Sequence, residues 1–434
     1  MRNLVLYPSE DPVSSNIIQV LQLRTANDPW LSGLKTFQCD ETTEAFTPFI
    51  PLLLFPKTTE IKIGFIEDVP TVVVASMLAR LSTLCPNLES ITLHSLPSDP
   101  IITEAVSEMV LGCNRDALQT FRVDSPLTEE AREVVYRLPK LSRLWAVIRG
   151  PVSLPAVALP NLAMIDVEYD DLAWLRGFRG ATLEKLESVN FRSESGDIGD
   201  FLGAFESVAL SVSAQNTLSD FAFYTSRSWN PNYSSLLSFN HLKDVEIESS
   251  CGDGCSSRVD DDIIASLARA MPKLETLRLG DQPCSAPTGI TVNGLISLAC
   301  GCPRLSRLRV HFQALSLVTA ATGPTIPSPS DDEAIPPRRE DCALVELEVG
   351  ETPVSTLSGF TVALVLFRVF PRITNVKYID WAWQTVQETI EDCRRVDALL
   401  HHSSKTHLSS TAFTIPSDVQ PGNAFNRGRP EDVI

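Results

Sequence analysis

An apolar residue, two variable residues, an apolar residue, one variable residue and another apolar residue recur along this chain at a quasi-regular interval. The clearest copies are Leu88-Glu89-Ser90-Ile91-Thr92-Leu93, Leu274-Glu275-Thr276-Leu277-Arg278-Leu279 and Leu305-Ser306-Arg307-Leu308-Arg309-Val310, each preceded by a proline two residues upstream. Pro139, Pro160 and Pro371 introduce three more, and relaxing the proline adds copies that start at Leu34, Thr58, Leu118, Leu186, Leu218, Leu242 and Leu344. From Leu34 to Ile373 the thirteen anchors span 339 residues in twelve steps, a mean of about 28. One copy means little, because any half-buried strand shows it; thirteen at this spacing require a repeating unit.

Between the anchors the period changes from two to helical. Val72 to Leu84, Ile101 to Leu111, Thr128 to Leu138, Asp260 to Met271 and Val292 to Cys300 read as short amphipathic helices. A strand, a helix and a return to a parallel strand leave an apolar face open until the next unit covers it. Such units are stable only as a stack, so the 434 residues are read as one α/β solenoid rather than two or three closed domains. Ile91/Leu93, Leu277/Leu279 and Leu308/Val310 are the inward pairs, and the residues that alternate with them face outward.

The copies at Cys85-Pro86-Asn87-Leu88 and Cys302-Pro303-Arg304-Leu305 resemble the cysteine-containing class of leucine-rich repeats, in which a helix ends in Cys-Pro-x-Leu and runs into the strand. Met271-Pro272-Lys273-Leu274 is similar, with Met in place of Cys. This repeat type is that of F-box/leucine-rich-repeat proteins, and the irregular spacing most resembles the F-box-like proteins of fungi. The resemblance implies a ribonuclease-inhibitor-like open solenoid over residues 1–400, with a parallel concave sheet and convex helices. It also implies a non-catalytic protein-recognition role, as the substrate-binding part of a ubiquitin-ligase adaptor, with ligase components among the partners. The F-box module that docks on the ligase is not found ahead of the first repeat. Met1, Leu4 and Leu6 already fit the strand pattern, so the chain is expected to begin inside a repeat, the module being lost upstream or never present. The alternatives are a scaffold with no ubiquitin link and an enzyme on a parallel βα fold.

Sequence signals for chemistry are sparse. There is no G-x-S-x-G elbow, G-x-G-x-x-G turn or H-E-x-x-H helix, and Gly33-Leu34-Lys35-Thr36 lacks the glycine and Gly-Lys of a phosphate loop. Cys251, Cys255, Cys284, Cys300 and Cys302 do not fall at a familiar zinc spacing, and Cys300 and Cys302 belong to a helix-to-strand junction. Asp260, Asp261 and Asp262 stand where a helix begins and are expected to cap it rather than bind a cation. No catalytic residue, cofactor or metal is therefore expected. With 36 Lys and Arg against 54 Asp and Glu the net charge is −18, which repels phosphate backbones; it reads first as a solvated acidic surface, and more specifically as one suited to a basic partner surface. No apolar run is long enough to span a bilayer and Glu10 and Asp11 interrupt any signal peptide, so a cytoplasmic or nuclear protein with reduced thiols is expected.

Residues 319–341, proline-rich and acidic, are expected to be a loop inserted in one repeat, and 401–434 a disordered tail. If the outward sheet positions bind a partner, the middle column runs Thr92, Arg122, Trp145, Asp166, Asn190, Ala222, Glu246, Arg278, Arg309, Glu348, Lys377. An outer column holds Arg143, Asp244, Arg307 and Glu346, with His311 and Glu248 on the flank. Arg278, Arg307, Arg309 and His311 would form a basic cluster, and Asp244, Glu246 and Glu248 an acidic one. Arg122, Arg143, Trp145, Glu246, Arg278, Arg307, Arg309 and His311 are the partner-binding candidates, arginine and tryptophan being the residues most enriched in binding hot spots. The alternative is that they pair across neighbouring strands as a solvated face.

Overall fold

The computed structural model describes residues 2–6, 33–66, 68–149, 159–170, 183–193, 214–225, 233–249, 259–280, 288–314, 341–350, 352, 354, 356–378 and 381–410. Fourteen strands form one sheet whose spatial order equals the chain order: β1 (Asn3–Leu6), β2 (Thr36–Thr42), β3 (Glu60–Phe65), β4 (Ser90–His94), β5 (Thr120–Pro126), β6 (Arg143–Ile148) and β7 (Met164–Tyr169), then β8 (Ser188–Ser193), β9 (Asp220–Thr225), β10 (Asp244–Ser249), β11 (Thr276–Leu279), β12 (Arg307–Arg309), β13 (Glu346–Gly350) and β14 (Asn375–Tyr378). Each pairs in parallel with the next, and β1 and β14 stand at the two edges, so the sheet is open and not a barrel.

Each of the thirteen anchors lies two residues ahead of a strand: Leu34 before Thr36, Leu88 before Ser90, Ile373 before Asn375. The reason is visible in the backbone. At the residue before each strand the chain is already tied to its neighbour: Glu89 N donates to Thr59 O at 2.7 Å, Gln119 N to Glu89 O at 2.7 Å, Ser142 N to Gln119 O at 2.8 Å, and the same step repeats as far as Thr374 N to Val345 O at 2.9 Å. The anchor side chain just ahead of it is driven inward, and Leu34, Leu88, Leu118, Leu141, Leu162, Leu274 and Leu305 are all at most 1% exposed. The alternating inward residues follow, with Ile91, Leu93, Phe121, Phe191, Phe221 and Phe223 equally buried. Each such side chain contributes about 1.5–3 kcal/mol of transfer free energy. Because it does so against the repeats on either side, stability is shared between neighbours rather than held by one centre.

Helices return the chain on the buried face. Thr71–Leu84 packs against Pro100–Gly112, which packs against Glu129–Val135, and Asp261–Ala270 packs against Val292–Gly301. Their starts carry the expected caps: Asp99 accepts from Ile101 N, Thr128 from Ala131 N, Asp260 from Ile263 N and Thr291 from Asn293 N. The acidic run 260–262 therefore caps. Asp260 caps its own helix, and the Asp261 carboxylate accepts from Thr291 N at 2.7 Å and Gly294 N at 3.0 Å, capping the next one.

The three helix-to-strand junctions that carried the repeat resemblance share one geometry. The C-caps Cys85, Met271 and Cys302 have φ of −127°, −121° and −120° and ψ of 69°, 65° and 74°. The following proline disfavours α backbone at these residues and stops the helix. Cys85 Sγ then donates to Phe55 O at 3.5 Å, and Cys302 Sγ to Met271 O at 3.5 Å, each joining its junction to the preceding repeat. Cysteine suits a buried site that has one neighbouring carbonyl to satisfy.

The chain divides into two compact units, residues 1–390 and 391–434. The helix Ala382–Ser410 starts in the first and supplies the described part of the second. The helix runs on through residues 401–410, which contain neither proline nor glycine to break it. Residues 411–434 and the expected loop, apart from Asp341, lie outside the described residues. Among the described residues no helix is long and apolar enough to cross a membrane.

Candidate interaction surface

The face of the sheet away from the helices is open, and the registers align its outward residues in columns. The middle column predicted from the repeat is reproduced step by step, with Thr92 opposite Arg122, Arg122 opposite Trp145, Trp145 opposite Asp166 and Asp166 opposite Asn190. It continues through Ala222, Glu246, Arg278, Arg309 and Glu348 to Lys377. Arg143, Asp244, Arg307 and Glu346 hold the outer column, where Asp244 lies opposite Asp220. Seven of the eight candidates stand on these strands, and His311 lies two residues past the end of β12.

They do not form the separate basic and acidic clusters expected of them. Arg278 Nη1 lies 2.8 Å from Glu246 Oε1, and Arg309 bridges Glu248 (Nη1–Oε1, 2.6 Å) and Glu348 (Nε–Oε1, 3.4 Å). Lys377 meets Glu346 at 2.7 Å. Tyr224 adds its hydroxyl to Glu246 Oε2 at 2.6 Å. Burial pushes the Glu246 carboxyl up, but the bonds from Tyr224 and Arg278 outweigh that and hold it below its ordinary value. Strands about 4.8 Å apart bring outward arginines and carboxylates within reach of one another, so the cations of β11 and β12 neutralise the anions of β10 and β13. Arg307 is the exception: it is exposed and has no ion-pair partner among the described residues.

The other half of the face is organised by an aromatic residue. The Arg122 guanidinium sits over the Trp145 ring, 5.5 Å from its centroid. Trp145, Arg122 and Arg143 line a shallow hollow of about 430 Å³ with Thr92, Met164 and Asp166. Arg143 is exposed and makes no ion pair among the described residues, and Met164 is 42% exposed beside it. Asp166 forms the floor; burial raises its carboxyl pKa, opposed by the charges of Arg192 and Arg122, and Asn190 Nδ2 donates to it at 3.1 Å. A second hollow, of about 290 Å³, lies across β8 to β12 and includes Asp220, Asp244, Thr276 and Arg307.

No family model and no curated protein matches the chain. A crystal structure of a protein from Bacteroides fragilis aligns with a TM-score of 0.29 and 12% identity over 68% of this chain and 75% of that one, too slight a likeness to argue from. The functional reading therefore rests on the surface itself.

Five residues of this surface escaped the sequence reading: Arg192 and Tyr224, which stack with 5.7 Å between guanidinium and ring centroid, and Arg149, Glu168 and Asp170, of which the arginine pairs with both carboxylates. Glu168, Arg192, Tyr224 and Glu248 occupy one further column, and extending the alternation by two residues would have found it. Among the described residues no three His, Cys, Asp or Glu side chains are grouped to hold a metal ion; Cys251, Cys255 and Cys284 lie outside the described residues.

Proposed function

We propose that this chain is a non-catalytic protein-recognition module of the leucine-rich-repeat kind, and that it binds its partner on the open face of the sheet, centred on Arg122, Arg143 and Trp145. One observation carries the reading: on the sheet face away from the described helices an arginine–tryptophan stack, and an arginine with no ion pair among the described residues, surround a hollow. Trp and Arg concentrate binding energy because they combine a large apolar area with directed hydrogen bonding. Arg278 and Arg309, by contrast, already spend their charge within the sheet. The repeat resemblance extends the proposal to a substrate-binding role in a ubiquitin ligase. The described cysteines, all free, suit the reducing cytosol or nucleus.

Affinity capture with mass spectrometry tests it. A partner held by the wild-type chain is expected to be lost on Arg122→Ala/Trp145→Ala and kept on Glu104→Gln/Glu108→Gln, two exposed carboxylates on a helix of the other face. Equal capture by all three proteins would remove this surface from the proposal. Co-purification of a cullin–RING adaptor would support the ligase role, and capture of partners without any ligase component would leave a scaffold.

A further inference from the structure

The second hollow holds an arrangement that the recognition reading leaves unexplained. Asp220 and Asp244 are direct partners on adjacent parallel strands, both facing outward, so two carboxylates stand side by side where like charges oppose each other. Ser219 Oγ donates to Asp220, but Asp244 makes no ion pair among the described residues. Thr276, next in the same column and opposite Asp244, also lines the hollow. It is 6% exposed, and its Oγ1 has no hydrogen-bond partner among the described residues. Asn190, on the other wall, has an equally unpartnered Oδ1. A buried hydroxyl without a partner loses its hydration and gains nothing in return, so a fold has reason to replace or satisfy it.

We propose that this hollow receives one basic side chain, a lysine or arginine, of a protein partner, its cationic head set between the Asp220 and Asp244 carboxylates beside Thr276 and Asn190. The two carboxylates only accept, and the Thr276 hydroxyl and the Asn190 amide oxygen can accept as well, which suits an ammonium with three donors or a guanidinium with five; Arg278, which also lines the hollow, is already paired with Glu246. The charge agrees, since the chain carries −18 and attracts basic surfaces at long range. Burial, then the neighbouring Asp244 charge and hydrogen bond, raise the Asp220 pKa against the opposing Ser219 hydrogen bond and Lys243 charge, so the like charge of Asp244 is not fully offset. Arg307 lies beyond Thr276 in the same column and lines the same hollow, so a run of basic residues would meet it; the site takes a single cation.

This inference rests on the recognition reading and can fail separately from it. The probe is Nα-acetyl-lysine methylamide, compared with its Nε-acetylated form, titrated onto the full chain at near-physiological salt and followed by saturation-transfer NMR. The lysine probe is expected to bind saturably and the acetylated one to lose about tenfold in affinity, the scale of one charge-assisted hydrogen bond. Asp220→Asn/Asp244→Asn should lose as much, while Glu104→Gln/Glu108→Gln, which removes the same charge elsewhere, keeps wild-type binding. Thr276→Val guards against a folding artefact: it removes an unsatisfied hydroxyl, so Tm should hold or rise while the probe binds several-fold more weakly. Equal binding of the two probes, or equal loss in both double variants, overturns the proposal. If partner capture still depends on Trp145, the recognition reading survives that result; if capture follows Asp220 and Asp244 but ignores Arg122 and Trp145, the hollow is upheld and the centre proposed at Arg122, Arg143 and Trp145 falls.

Discussion

Replacing Arg309 by Met probes whether the open face is cemented by its own charges. The guanidinium spans three strand spacings, joining Glu248 on β10 to Glu348 on β13 from its place on β12, with side-chain exposures of 13% for Arg309, 20% for Glu248 and 22% for Glu348. Methionine keeps the stem that covers the sheet and removes the charge. Breaking a fully buried ion pair by deleting one partner costs about 3–5 kcal/mol, and breaking an exposed one about 0–1. Groups four-fifths buried fall between these limits, so Arg309→Met is expected to cost about 2–3 kcal/mol. Arg278, 33% exposed and paired with one carboxylate, should cost about 1 kcal/mol. Urea denaturation followed by circular dichroism and by tryptophan fluorescence measures both, with the two signals required to coincide because stacked repeats can unfold piecewise. Adding Glu248→Gln and Glu348→Gln to Arg309→Met should recover part of the loss, since the repulsion left behind is then gone. A cost under about 0.5 kcal/mol for Arg309→Met would refute the reasoning and return Arg309 to the partner-binding residues.

Three further outcomes follow from local geometry. Asp220→Asn is expected to stabilise the chain at neutral pH by about 0.5 kcal/mol, the scale of a like-charge pair across strands. The folded state binds the Asp220 proton more tightly than the unfolded one, so this part of wild-type stability falls as pH rises from about 4 through the raised pKa; melting curves of the two proteins should converge below about pH 4. Brief alkylation of the native chain at mildly alkaline pH should label the exposed Cys300 ahead of Cys39, Cys85, Cys113 and Cys302, whose burial removes access and pushes their thiols up to about 11, 11, 12 and 12; peptide mass mapping that finds Cys302 labelled first would contradict the packing of its junction. Gly301→Ala would place a Cβ 2.7 Å from Ala268 O, where two stacked helices touch, and should lower stability by about 1–3 kcal/mol in the same urea assay; a neutral result would mean that the helices are further apart than described.

The spacing of apolar residues in the chain was enough to place every described strand, the first through Leu4 and Leu6 and the rest through the thirteen anchors, to order them and to set their register. The reason is that one local rule operates thirteen times: an inward Leu, Thr or Ile fixes the pleat two residues later, and each repeat can only cover the one before it. Thr92, Arg122, Trp145 and Asp166 were therefore legible as neighbours although they lie 20 to 30 residues apart. The ends of the long side chains were not. Whether Arg309 reaches a partner or Glu348, and whether Asp244 has a cation or only Asp220 beside it, depends on where a flexible stem directs its charge once two strands are within 5 Å. Alternation states which face a residue occupies; it holds no information about pairing between columns two or three strands apart, as between Glu248 and Arg309. The length of the helix Ala382–Ser410 was hidden for a different reason: its polar last turns carry no apolar period to read, and it is the absence of a breaker that lets it continue. The order of the repeats belongs to the sequence, while the distribution of charge over the open face was settled only when the strands lay side by side.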